Sequence, residues 1–132
     1  MIESVLEFNQ KFGLPDGSKD VLTGAPALQK YRAYFIREEL NELTDAFVTQ
    51  DRVAAFDALL DLVYVVQGTA LFMGITPQQW DEGMEAVHFA NMSKVRAESA
   101  AESKRGLDID VIKPLGWVPP EAMLAKILGE AK

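Results

Sequence analysis

The apolar positions of this chain recur at helical spacing and predict four main helices followed by a tail. Ile2, Val5, Leu6 and Phe8 form one side of a first helix over about Ile2–Phe12, closed by Gly13 and the turn cluster "GLPDGSKD". A second helix runs from about Ala25 to Val48. Thr23 or Gly24 is its expected cap, and Pro26 stands in the first turn, where its missing N–H does no harm. Ile36, Leu40, Leu43 and Phe47 mark its expected core stripe. The third helix, about Val53–Met73, is apolar nearly all round, the mark of a central bundle helix or of one also buried at a subunit interface. Gly74 ends it. Thr76 and Pro77 then supply a cap and a first helical residue for a fourth helix reaching about Ala97, with Trp80, Met84, Val87 and Met92 on its packed side.

The remainder reads differently. "ESAAESKRGLDID" is polar and glycine-containing, a mobile loop by composition; "VIKPLGWVPP" is extended or turn-like because of its prolines. "EAMLAKILGEAK" predicts a short amphipathic helix. With no internal repeat and no linker, residues 1–132 read as one all-α domain of four-helix-bundle type, with an extended C-terminal tail and a short last helix.

Composition narrows the function classes. The chain lacks cysteine, which removes disulfides and thiolate metal sites and suits a cytoplasmic protein. A net charge of −7 argues against general nucleic-acid or anionic-membrane binding. The N-terminus alternates charged and apolar residues and is not a signal peptide. The uncharged run after Asp61 ends at Pro77 and Asp81. Extending it backward to the roughly 20 residues of a membrane span brings in Asp57 and Asp61, so a core helix is expected.

The acidic residues are the chemically informative ones. "EELNELTD" places Glu38, Glu39, Glu42 and Asp45 at helical spacings of three and four, where like charges repel by a few tenths of a kcal/mol per pair. Alone, that is a solvated acidic face. Asp57 and Asp61, one turn apart on the next helix, change the reading. A short connection makes the two helices antiparallel neighbours, so two acidic faces meet with Arg37 alone nearby, to one side. An oxygen-only set of carboxylates suits a hard cation, Mg²⁺ or Mn²⁺. The rival pattern, Glu85 and His88 in the Glu-x-x-His spacing of di-iron bundles, needs two such motifs, and the chain has one histidine.

These residues resemble those of the all-α nucleoside triphosphate pyrophosphohydrolases, the MazG-like group that includes phosphoribosyl-ATP pyrophosphatase and the dimeric dUTPase relatives. Glu38, Glu39 and Glu42 match the group's Glu-Glu-x-x-Glu motif, and Asp61 matches the aspartate that ends its second acidic motif. "HFANMSKV" and "KPLGWVPPE" match two later motifs of the small members. One position departs: the acidic residue expected three before Asp61 is Ala58, and Asp57 stands one residue earlier instead. On a helix both positions straddle one face.

The resemblance implies an enzyme that hydrolyses a (deoxy)nucleoside triphosphate between its α and β phosphates, as nucleotide-pool housekeeping. It implies divalent metal, Mg²⁺ or Mn²⁺, on Glu39, Glu42 and Asp61, and a homodimer or dimer of dimers; Asp57, on the same helical face as the expected position, is the candidate for a further ligand. Glu38 is the candidate for orienting or deprotonating the attacking water. Asn91 and Lys94, expected on one face of the fourth helix, and Lys113 are implied substrate contacts. For Lys94 the plainer reading is a helix-end lysine, and for Trp117 a tail anchor competes with base stacking. The alternative function is a nucleotide-binding regulatory protein of the same fold with weak or no catalysis, for which Ala58 speaks. Nothing in the residues selects a base.

Overall fold

The computed structural model describes residues 1–130, and five helices form within them. They are α1 (Ile2–Lys11), α2 (Pro26–Val48), α3 (Arg52–Phe72), α4 (Pro77–Met92) and α5 (Glu121–Ile127). The all-α class is as expected. The last two residues of the expected C-terminal helix segment, Ala131 and Lys132, lie outside the described residues. The chain forms two compact units, Met1–Trp80 and a second beginning at Asp81.

In the first unit α2 and α3 form an antiparallel hairpin, and α1 lies against α3. The connection is tight because Gln50 takes a left-handed backbone (φ 57°) and Asp51 caps α3, accepting from the N–H groups of Val53 and Ala54 at 3.0 and 2.9 Å. Ile2, Val5 and Leu71 are the fully buried centre, with Leu6 and Trp80 packed on them. The loop before α2 is held by Asp20, which accepts from Leu22 N, Thr23 N and Thr23 Oγ1. Thr23 is therefore tied to the loop, and the residue at the N-cap of α2 is Ala25, without a side-chain cap bond. Gly74 passes so close to this loop that a Cβ would stand 2.5 Å from Asp20 N, and its φ of 74° also favours glycine. Thr76 caps α4 as expected: its Oγ1 accepts from Gln79 N at 3.2 Å, while Gln79 Oε1 accepts from Thr76 N at 3.0 Å.

The core stripe of α2 is rotated from the expected one. Leu43 is buried, but Leu40 is 48% and Phe47 63% exposed, while Arg32, Leu43 and Ala46 are the buried residues of the helix. Arg32 is the reason. Its Nε donates to Thr69 Oγ1 (3.1 Å) and its Nη2 to the Val65 carbonyl (2.8 Å), while the guanidinium lies 4.6 Å from the Phe72 ring centroid. Gly68 makes room for it, since a Cβ there would be 3.0 Å from Nη2. Burial pushes the guanidinium pKa below its ordinary value. The buried line of α2 thus runs Arg32, Leu43, Ala46, with Glu39 half-buried between them.

The second unit corrects three expectations. The helix expected to reach Ala97 ends at Met92, where Ser93 Oγ donates to the Ala90 carbonyl (2.7 Å) and Lys94 N to the Asn91 carbonyl (3.1 Å). Lys94 therefore lies in the turn beyond α4, not on its face. Met84 and Met92, expected on the packed side, are exposed, and Ala90 is the buried residue of the helix. Residues Val95–Arg96 (β1) and Val111–Ile112 (β2) pair antiparallel, and the polar segment between them, expected to be mobile, is pinned. Asp110 accepts from Arg105 Nη2 (2.6 Å), Ser103 Oγ (2.7 Å) and Val111 N (2.9 Å).

Those bonds to Arg105 and then Ser103 hold the Asp110 pKa at about 2, below its ordinary 3.8. A depressed carboxylate pKa stabilises the fold above pH 3.8 and loses that contribution as pH falls toward about 2. The NMR shifts of the Ala97 and Val111 amides should titrate in that window. Asp110→Asn at neutral pH should move them to the acid position; unchanged shifts would show that the Asp110 carboxylate does not hold this segment.

Candidate active site

The α2–α3 hairpin carries the five candidate site carboxylates. Glu38, Glu39 and Glu42 come from α2, Asp57 and Asp61 from α3. Their influence converges on Glu39, whose pKa is raised above the ordinary 4.5. Burial is the largest cause, followed by the charges of Glu42, Asp61, Glu38 and Asp57 in that order. The residue as a whole is half-buried, but its Oε2 atom is fully buried and has no hydrogen-bond partner. Glu38, Glu42, Asp57 and Asp61 are exposed.

That combination is unfavourable unless something positive completes it. A buried carboxylate oxygen normally has a partner, and a second carboxylate cannot be one unless a proton is shared. The donor set is oxygen only, as a hard divalent cation prefers. Among the described residues no three acidic or histidine side chains already stand poised around one point. The residues fit such an ion in kind: an orphaned, buried Glu39 oxygen beside four exposed carboxylates whose charges act on it. Ala58, the position that departs from the resemblance, is 2% exposed, and Asp57 beside it is exposed and acts last and most weakly on Glu39.

Other expected site residues belong to the second unit. Asn91 is exposed near the end of α4 and Lys94 is half-buried. The ammonium groups of Lys94 and Lys113 lie 5.5 and 4.6 Å from the Trp117 ring centroid. Trp117 Nε1 donates to the Ala90 carbonyl at 2.8 Å, which anchors the tail to α4. His88 and Glu85 are exposed.

The sequence profile that describes phosphoribosyl-ATP pyrophosphohydrolase matches residues 5–91, well over half of the chain and all five candidate site carboxylates. The chain belongs to the phosphoribosyl-ATP pyrophosphohydrolase family. As a member it falls within the MazG-like all-α NTP pyrophosphohydrolase superfamily, whose fold the helices match. Pyrophosphohydrolase action on a phosphoanhydride bond of a nucleotide-like substrate follows from that membership. No curated protein and no solved structure matches this family member. Lys94 and Lys113 lie beyond the matched residues.

Two structural features escape sequence reasoning in this pyrophosphohydrolase. Arg32 sits seven residues before Glu39, two turns up the same side of α2, and no pattern of residue types announces a buried cation without a carboxylate partner. The β1–β2 hairpin is equally silent, since two-residue strands are too short to show alternation.

Proposed function

We propose that the protein is a Mg²⁺-dependent pyrophosphohydrolase of (deoxy)nucleoside triphosphates, cutting between the α and β phosphates to give the monophosphate and pyrophosphate. The observation behind this reading is the buried, unpartnered Oε2 of Glu39 facing four other carboxylates. Glu39, Glu42 and Asp61, with Asp57 at the margin, are the residues that would hold Mg²⁺ or Mn²⁺. When bound, the cation neutralises phosphate charge that would otherwise be repelled by this acidic face. Glu38, exposed beside Glu39, is the residue we assign to accept a proton from water as the water oxygen adds to the α-phosphorus. The α–β bridging oxygen then leaves with pyrophosphate. Asn91, Lys94 and Lys113 enter as substrate contacts by resemblance. The cytoplasm, where such nucleotides are made and used, is the proposed location.

The test is pyrophosphate release from dUTP, dCTP, dTTP, oxidised purine triphosphates and phosphoribosyl-ATP, each with Mg²⁺ and with EDTA. Turnover of a triphosphate that EDTA abolishes is the expected result. Turnover of phosphoribosyl-ATP alone, or turnover indifferent to EDTA, sinks it. One observation favours a second reading: Ala58 is buried where the resemblance expects an acid, so a site short of one ligand would bind nucleotide tightly without releasing pyrophosphate.

We also place a second copy of the chain on α3. Phe56, Leu59, Leu60 and Val63 are all exposed, Phe56 at 62%, an apolar face that a monomer would leave in water. Light scattering at micromolar concentration should give at least a dimer mass, and Leu60→Glu should shift it toward the monomer. A monomeric mass for the wild type overturns this placement.

A further inference from the structure

Of the three buried residues of α2, Arg32, Leu43 and Ala46, only Arg32 is charged. It is 7% exposed and has no ion pair among the described residues. A desolvated charge without a counter-charge is less favourable than an apolar side chain of the same volume. Packing alone therefore does not account for an arginine here. What an arginine adds is direction. Its Nε donates to Thr69 Oγ1 and its Nη2 to the Val65 carbonyl, two acceptors one turn apart on α3. Two bonds spaced along the neighbouring helix fix both the rotation of α2 about its own axis and its register against α3. An apolar contact at the same place would fix neither.

The competing rotation is written in the same helix. Ile36, Leu40, Leu43 and Phe47 form an apolar line, yet Leu40 is 48% and Phe47 63% exposed. Glu39 and Leu40 are consecutive, about 100° apart around a helix of roughly 3.6 residues per turn. Turning α2 so as to bury Leu40 and Phe47 would carry Glu39 out of the α2–α3 contact. In the observed rotation Glu39 stands seven residues after Arg32 on the same side, and its Oε2 is buried without a partner. Desolvation and the neighbouring carboxylates both oppose a charged Glu39 in that place. What holds it there must act from elsewhere on the helix, and Arg32 carries the directional bonds that can.

We infer that Arg32 is a positioning residue of the metal site: it pins α2 in the rotation that holds the Glu39 carboxylate inward, and so sets the affinity for a divalent cation from two helical turns away. This rests on the metal reading proposed above and adds to it a residue that acts through Glu39.

Two measurements on the full chain test it. Mn²⁺ binding is read from the loss of the free-ion electron paramagnetic resonance signal. Arg32→Met, which keeps the volume and removes both bonds, should bind Mn²⁺ at least fivefold more weakly than wild type. Thr69→Val, which keeps the arginine and removes the acceptor of Nε, should lose at least twofold. Ile2→Val, a cut in the buried centre, should stay within twofold and so separates positioning from a general loss of stability. The rotation of α2 is read from a thiol. The chain has no cysteine, so Leu40→Cys supplies a single reporter. In EDTA it should react with a thiol reagent at least threefold more slowly when Arg32→Met is also present, because position 40 turns inward. A smaller Mn²⁺ loss in either hairpin variant, a loss in Ile2→Val as large as that in Arg32→Met, or a smaller change in the thiol rate overturns the inference. If wild type and Arg32→Met bind Mn²⁺ alike, the metal reading stands and this inference falls. If wild type binds none, both fall.

Discussion

Glu39→Gln should all but stop turnover, by about 10²–10³-fold or more, and should make the metal-free protein more stable. The two effects have one cause. In the fold Glu39 has a pKa raised by burial and by the surrounding carboxylates, so the folded state favours its protonated form. A raised carboxyl pKa contributes stability at low pH that is lost as pH rises from the ordinary 4.5 through the folded value. At neutral pH the wild type therefore holds an ionised carboxylate against repulsion, and glutamine removes that charge while keeping the shape. Relief of several like-charge contacts of a few tenths of a kcal/mol each should raise the midpoint by about 2–5 °C in EDTA. Mg²⁺ should raise the wild-type midpoint and leave the variant's unmoved. Thermal unfolding at pH 4.5 and pH 7, with and without Mg²⁺, checks the whole pattern. A variant less stable than wild type in EDTA at pH 7 would mean that the Glu39 carboxylate finds its partner within the protein.

Arg32 separates packing from charge. Arg32→Ala removes two bonds between α2 and α3, the stem that fills the space beside Gly68, and the contact with the Phe72 ring. The loss should be about 2–4 kcal/mol, or roughly 8–15 °C in midpoint. Arg32→Met keeps the volume and discards a charge that is desolvated without a carboxylate partner, so it should fall within about 1 kcal/mol of wild type. The Val65 carbonyl stays satisfied in both, because Thr69 Oγ1 also donates to it at 2.8 Å. Equal losses in the two variants would assign the contribution to the charge rather than to the packing.

The same arginine explains where sequence reasoning stopped short. The helices were legible because Pro26, Pro77, Thr76 and Gly74 mark their ends and apolar residues recur along them. The acidic cluster was legible because its carboxylates recur at helical spacing on two helices joined by a short connection. The rotation of α2 was not. Periodicity ranks Leu40 and Phe47 above a charged residue as core, yet bonds to Val65 and Thr69 draw Arg32 inward and turn that line outward. Glu39 moves inward with it, which is how one of its oxygens loses water. The β1–β2 hairpin stayed hidden for another reason: its order comes from Asp110, a tertiary knot among polar residues that composition alone assigns to solvent.

The five candidate site carboxylates span only residues 38 to 61, on two helices joined by one capped turn. Few chain contacts need to span a long loop before they meet, so the entropic cost of bringing them together is small. During folding the acidic face should assemble early, as soon as the α2–α3 turn closes, while α1 must still return to α3 across the loop that Asp20 organises. A divalent cation present at that moment would act on the folding rate as well as on the final stability, speeding the step in which two like-charged helices come together.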